Sequence, residues 1–358
     1  MKLAFAAMAA FLFCGSGVSA QDASCAPVMG LSFVCGVQKP EDLVQIPGTK
    51  WILASGMTEG GGLNIIDADA KTVRAFYTGA PAQVRQDKKL YPNCPAPPDV
   101  AKLNTHGLGL RAKGGGLYTL YAVSHGAVES ILVFALDARG AAPAISFTGC
   151  VPMPAGHAAN SVAGYSDGTI VATVPVRPGF TGADFMSGGK ATGAVFEWKP
   201  GAAGFMLLPG TELPGDNGIE ISKDEKEFYV AVSGTQSVVV YDRAKTAMPL
   251  RQSRTPWFNL DNIHWSGDRL IAAGMMFDEP SCGGTRKQII DRKGDLACHR
   301  GWVAGQIDPV GLGWTILGYG EPNPAFGGIA TALVVGDTLW LSSYQADRAA
   351  YRPLPHPR

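Results

Sequence analysis

The chain has no run of lysine and arginine, and its 30 basic and 30 acidic side chains cancel to a formal net charge of zero. A nucleic-acid-binding surface needs a clustered positive footprint, so that class is excluded. No C-x-x-C pair occurs, and Cys298 and His299 stand side by side without a second pair of ligands, which argues against zinc. Gly188-Gly-Lys190-Ala has neither the spacing nor the Ser/Thr of a phosphate loop. No segment reads as a long helix, and no apolar run reaches the roughly 20 residues that cross a bilayer. The run from Leu3 to Phe13 follows Lys2 and precedes Val18-Ser19-Ala20, the pattern of a signal peptide cleaved before Gln21. Residues 1–20 are therefore expected to direct export, to a periplasm or beyond. Residues 21–358 then form one domain with no stable membrane span.

What is abundant is turn punctuation: 46 glycines and 25 prolines without a collagen period. Between these turns the chain repeats a polar residue, a short apolar strand, a Gly- or Asp-containing turn and a second apolar strand. Asn160-Ser-Val-Ala-Gly-Tyr-Ser-Asp-Gly-Thr-Ile-Val and Asn217-Gly-Ile-Glu-Ile-Ser-Lys-Asp-Glu-Lys-Glu-Phe-Tyr-Val are examples. Within the first, Gly164-Tyr-Ser166-Asp-Gly168 matches G-x-S-x-G. It joins two strands, however, not a strand and a helix, so it predicts a hairpin turn. Glycines 60–62 and 114–116 read as further hairpin tips. The units start at Glu41, Thr105, Asn160, Asn217, Asp261 and Gly328, 44 to 67 residues apart. Each interval accommodates one four-stranded blade, which predicts an all-β, six-bladed β-propeller around a central tunnel. The sixth unit is short, so residues before Glu41 are expected to supply its missing strand and close the ring.

Without the leader six cysteines remain, and an even number in an exported chain favours disulfides. Proximity suggests Cys25–Cys35 and Cys282–Cys298, leaving Cys94–Cys150.

In a propeller the first strand of each blade lines the tunnel, so residues at unit starts converge on the axis. Glu41, Asp261, Asn160, Asn217 and Asn262 bring oxygen donors from four blades. Calcium takes such a mixture of carboxylates and amide carbonyls, and an unpaired amide there would otherwise be costly to bury. The competing reading is that these residues cap turns between blades. His106 and His125 fall on neighbouring strands of one blade. A calcium ion acidifies its water weakly, so a hydrolase built on it wants a separate base; His106 fits that role, with His125 orienting it or relaying the proton. His157, His264, His299 and His356 read as structural or exposed.

The order of Glu41-Asp42-Leu, Thr105-His-Gly-Leu, Val123-Ser-His-Gly before Glu129-Ser-Ile-Leu-Val-Phe, Asn160-Ser-Val, Asp216-Asn-Gly-Ile-Glu-Ile-Ser and Leu260-Asp-Asn-Ile resembles one group of proteins. It is similar to the paraoxonase/arylesterase branch of the senescence-marker-protein, gluconolactonase and strictosidine-synthase-like propellers, over about residues 40–351. The resemblance implies that Glu41, Asn160, Asn217, Asp261 and Asn262 hold a catalytic calcium ion and that His106 and His125 form the family's histidine pair. It also implies a second, structural calcium at Asp42, with the backbone oxygens of Leu43 and Leu108; Ser161 stands where the family usually has an aspartate. The activity implied is calcium-dependent hydrolysis of a lactone, or of an aryl ester, as small-molecule substrate. Two alternatives stay open: a gluconolactonase-like sugar lactonase in which a carboxylate ligand moves the proton, and a non-catalytic exported propeller that binds a ligand. Met57, Gly215 and Trp257 are expected near the tunnel mouth.

Overall fold

Short strands of apolar alternation cannot bury both faces alone, so they stack as blades whose faces cover one another. The computed structural model describes residues 25–354 except 256, 277, 280–283 and 286–298. The expected signal peptide, the Cys282–Cys298 pairing and His356 lie outside the described residues.

Six four-stranded antiparallel sheets surround a tunnel. From the axis outward, blade one holds Leu43–Gln45, Trp51–Ser55, Leu63–Asp67 and Thr72–Ala75. The innermost strands of blades two to five are Thr105–Gly114, Val162–Gly164, Asp216–Ile221 and Phe258–Ser266. Blade six is completed from both ends of the chain. Ala332–Val335, Thr338–Leu341 and Arg348–Pro353 are followed in space by Ser32–Cys35, which pairs Phe33 with Ala350 and Cys35 with Arg348. The ring closes as expected. Radial repetition confines the open sheet edges to the outermost strand of each blade.

The buried side chains form clusters between blades. Leu43, Ile52 and Ile66 pack with Val34, Leu333, Trp340 and Ala349, joining blade one to blade six. Tyr229, Val238 and Val240 pack with Phe258, Leu260 and Ile263 between blades four and five. Near the axis the strands approach too closely for side chains. A Cβ on Gly107 would lie 2.4 Å from the Asn160 carbonyl oxygen, and one on Gly218 would lie 2.8 Å from the Asn262 Cα.

Two disulfides are present among the described residues, Cys25–Cys35 and Cys94–Cys150, the pairings expected. Ser166 and Asp167 sit in a hairpin turn, with the Gly168 N–H donating to the Tyr165 carbonyl, and the Ser166 hydroxyl is held by Glu225. That serine is no nucleophile elbow. Among the described residues no helix is long and apolar enough to cross a membrane.

Candidate functional site

Three innermost strands carry an irregularity at the same level of the tunnel. Pairing is interrupted between Thr105 and Leu108, between Asp216 and Ile219, and between Leu260 and Ile263. A bulge adds a residue to one strand and re-aims its side chains. The interrupted residues include His106, Asn217, Asp261 and Asn262, and blades one and three present Glu41 and Asn160 just before their first strands.

The result is a pocket of about 200 Å³ at one end of the tunnel, lined by Glu41, His106, Asn160, Asn217 and Asp261. Asn262 lies outside the lining and donates from Nδ2 to Glu41 Oε1 at 2.8 Å. Asn217 Nδ2 donates to Ser233 Oγ at 3.0 Å, and that hydroxyl donates onward to the Leu260 carbonyl. The serine proton is thereby committed, which orients the Asn217 amide with its oxygen unpaired. Asn160 Nδ2 lies 3.4 Å from His106 Nε2.

With those nitrogens anchored, Glu41 Oε2 and the Oδ1 atoms of Asn160, Asn217 and Asn262 are buried without a hydrogen-bond partner. A buried polar atom left unpaired costs about 1–3 kcal/mol. Four in one region form an oxygen-rich cradle short of positive charge, a donor set suited to a hard cation such as calcium. Among the described residues no group of three or more His, Cys, Asp and Glu side chains is arranged to hold a metal. Any ion here therefore depends on the amides.

Beside the cradle runs a file of titratable groups. The Glu129 carboxylate lies 2.9 Å from His125 Nδ1, His125 Nε2 lies 2.8 Å from His106 Nδ1, and His106 Nε2 faces the pocket 3.5 Å from Glu41 Oε1. A carboxylate accepts only, so His125 carries its proton on Nδ1 and its Nε2 accepts from His106 Nδ1–H. That leaves His106 Nε2 with a lone pair toward the pocket, where the Asn160 amide donates. Burial alone would lower the pKa of His106; the carboxylates of Glu41, Asp261 and Asp42 together outweigh it and raise the pKa. Glu129 Oε1 also accepts the Ala159 N–H at 3.1 Å. From sequence, Glu129 is one residue of the Glu129-Ser-Ile-Leu-Val-Phe motif with no assigned role. The available signal was its i+4 spacing from His125 across a glycine.

Asp42, expected at a second calcium, sits deeper in the tunnel. It is fully buried, and its carboxylate accepts Leu43 N–H at 2.9 Å, Leu108 N–H at 2.7 Å, Thr331 Oγ1 at 2.6 Å and His264 Nε2 at 2.9 and 3.0 Å. His264, read from sequence as structural, lies 3.5 Å from Glu220 through Nδ1. Burial alone would lower its pKa, but Asp42 and then Glu220 raise it to about 10.

The pocket walls are Met57, Pro175, Phe185, Asn259, Met275 and Tyr344, with Ser233 behind Asn217. Phe185 comes from a short helix, Gly182–Ser187, held by a Thr181–Asp184 capping box, and its ring lies over Gly215, where a Cβ would sit 2.5 Å away. Met57 thus lines the pocket, and Gly215 lies against the Phe185 ring of its wall. Trp257 does neither: it is outside the lining and stands edge-on to Tyr319 with ring centroids 5.6 Å apart.

No protein-family model matches this chain, and no curated protein matches its sequence. Solved structures do share its shape. A gluconolactonase from Xanthomonas campestris superposes with a TM-score of 0.53 at 15% identity, over 93% of each chain. A luciferin-regenerating enzyme gives 0.51 at 14% identity, over 91% of this chain and 96% of its own. The likeness is one of fold, a six-bladed propeller.

Proposed function

We propose that this protein is an exported, calcium-dependent hydrolase of lactones. The observation that carries the reading is the set of buried, unpaired oxygens on Glu41, Asn160 and Asn217, which line one pocket with His106, together with that of Asn262, whose amide nitrogen is bonded to Glu41. The gluconolactonase among the structural neighbours is consistent with lactone chemistry. The two disulfides favour an oxidising compartment.

Glu41, Asn160, Asn217, Asn262 and Asp261 would hold the ion. When bound there, calcium supplies positive charge against the carbonyl oxygen of the substrate, where negative charge develops. His106 Nε2 takes a proton from the attacking water, its own Nδ1 proton being directed at His125 Nε2. Glu129 accepts from His125 Nδ1 and stabilises the charge that reaches the second imidazole. Both His125 and Glu129 are partly exposed, so the file leads the proton out to solvent. Apart from the Asn259 amide and the Tyr344 hydroxyl, the walls of Met57, Pro175, Phe185 and Met275 offer few polar partners. They suit an apolar lactone or an aryl ester better than a polyhydroxylated sugar lactone, which would leave its hydroxyls unpaired.

Turnover of a panel spanning aliphatic lactones, phenyl esters and gluconolactone tests this. The expected result is turnover of apolar lactones that falls at least 100-fold in Asn217→Ala and His106→Gln. No hydrolysis across the panel by calcium-loaded protein would contradict the proposal in favour of a ligand-binding propeller.

A further inference from the structure

We propose that His264 takes the place of a second cation at Asp42, so that the tunnel binds no metal ion below the Glu41 pocket. An ionised carboxylate offers about four lone-pair positions. At Asp42 they are taken by two backbone N–H groups, the Thr331 hydroxyl and the His264 imidazole, at 2.6 to 3.0 Å. These donors come from blades one, two, five and six. A cation bound to Asp42 would have to displace them, and the hydrogens of Leu43 and Leu108 already point at the oxygens it would need. Ser161, where a further carboxylate would be required, instead accepts the Ile219 N–H at 3.3 Å. The imidazole reaches Glu220 of blade four through its other nitrogen. It therefore does the work of a structural ion, drawing carboxylates of separate blades together around the axis, with a side chain that no chelator removes.

The test counts and locates ions, and does not depend on turnover. Chelator-stripped protein is dialysed against excess calcium for metal analysis, and crystals are soaked in terbium for anomalous scattering. The expected outcome is one calcium per chain, with a terbium peak at Glu41 and none bonded to Asp42. Two ions per chain, with a peak bonded to Asp42, overturn the inference. No peak at either place would still support it, while contradicting the metal reading of the pocket. His264→Asp replaces the imidazole with a ligand and is expected to raise the count to two; a folded variant that still binds one overturns the claim that the imidazole keeps the cation out. Should that variant fail to fold, the wild-type count and map decide the matter.

Discussion

At the scale of single residues, the candidate site rests on atoms whose partners are missing and on atoms whose partners are in surplus. Glu41 Oε2 and three amide oxygens have none, whereas the Asp42 carboxylate has four donors. Glu129 is the residue whose role is easiest to isolate, because it touches neither the pocket nor the oxygen cradle. Glu129→Gln keeps the shape but can present an N–H toward His125, reversing the tautomer order that leaves His106 Nε2 basic. A drop in kcat of about 10- to 100-fold is expected, with KM little changed and the acid limb of the pH–rate profile shifted. Equal loss in kcat and in folding stability would instead mark Glu129 as structural. His264 gives a second prediction. Its pKa is raised from the ordinary value of 6.5 to about 10, so its contribution is complete below about pH 6.5 and disappears as pH rises through 10. Across that interval one extra proton is bound by the folded chain, and stability falls by about 1.4 kcal/mol per pH unit. Urea unfolding of wild type against His264→Gln between pH 7 and 10 should show this slope in wild type alone; parallel curves would contradict it.

At the scale of the strand and the blade, the sequence carried most of the architecture and only part of the site. Repeated units with a polar residue before an apolar strand were readable because tunnel-lining positions recur at blade spacing. The bulges at His106, Asn217 and Asp261–Asn262 were not, since a bulge is a feature of pairing and leaves no fixed residue signature. Phe185 was equally hidden, on a short helix within an insertion whose position over Gly215 depends on tertiary packing. The pairing of His264 with Asp42 spans 222 residues and exists only once the ring has closed. Closure itself concerns the strand Ser32–Cys35 and the Cys25–Cys35 disulfide beside it; Cys94–Cys150 lies in blade two. Cys25–Cys35 encloses a separation of 10 residues and Cys94–Cys150 one of 56. Loop-closure entropy assigns them roughly 3 and 4 kcal/mol respectively. Denaturant titrations of the two paired Cys→Ala variants should therefore show a larger loss for Cys94–Cys150; the reverse order would mean that tethering the closing strand outweighs loop length.

At the scale of the whole molecule, the propeller turns a weak local signal into a strong one by bringing isolated side chains to one axis. Glu41, Asn160, Asn217 and Asp261 belong to four blades, His106 to a fifth, and Tyr344 closes the wall from the sixth. No single blade contains a site. The lower tunnel is tied by Asp42 and His264, which lets the upper pocket carry unpaired oxygens without the ring depending on an ion there. Removal of metal should thus abolish chemistry while leaving the propeller folded. The most direct measurement is lactone turnover and bound calcium in the same preparation, before chelation, after chelation and after calcium is returned. The account predicts that turnover disappears with a calcium ion, returns with it in proportion to occupancy, and that circular dichroism is unchanged throughout. Undiminished turnover in protein shown to hold no metal would contradict it.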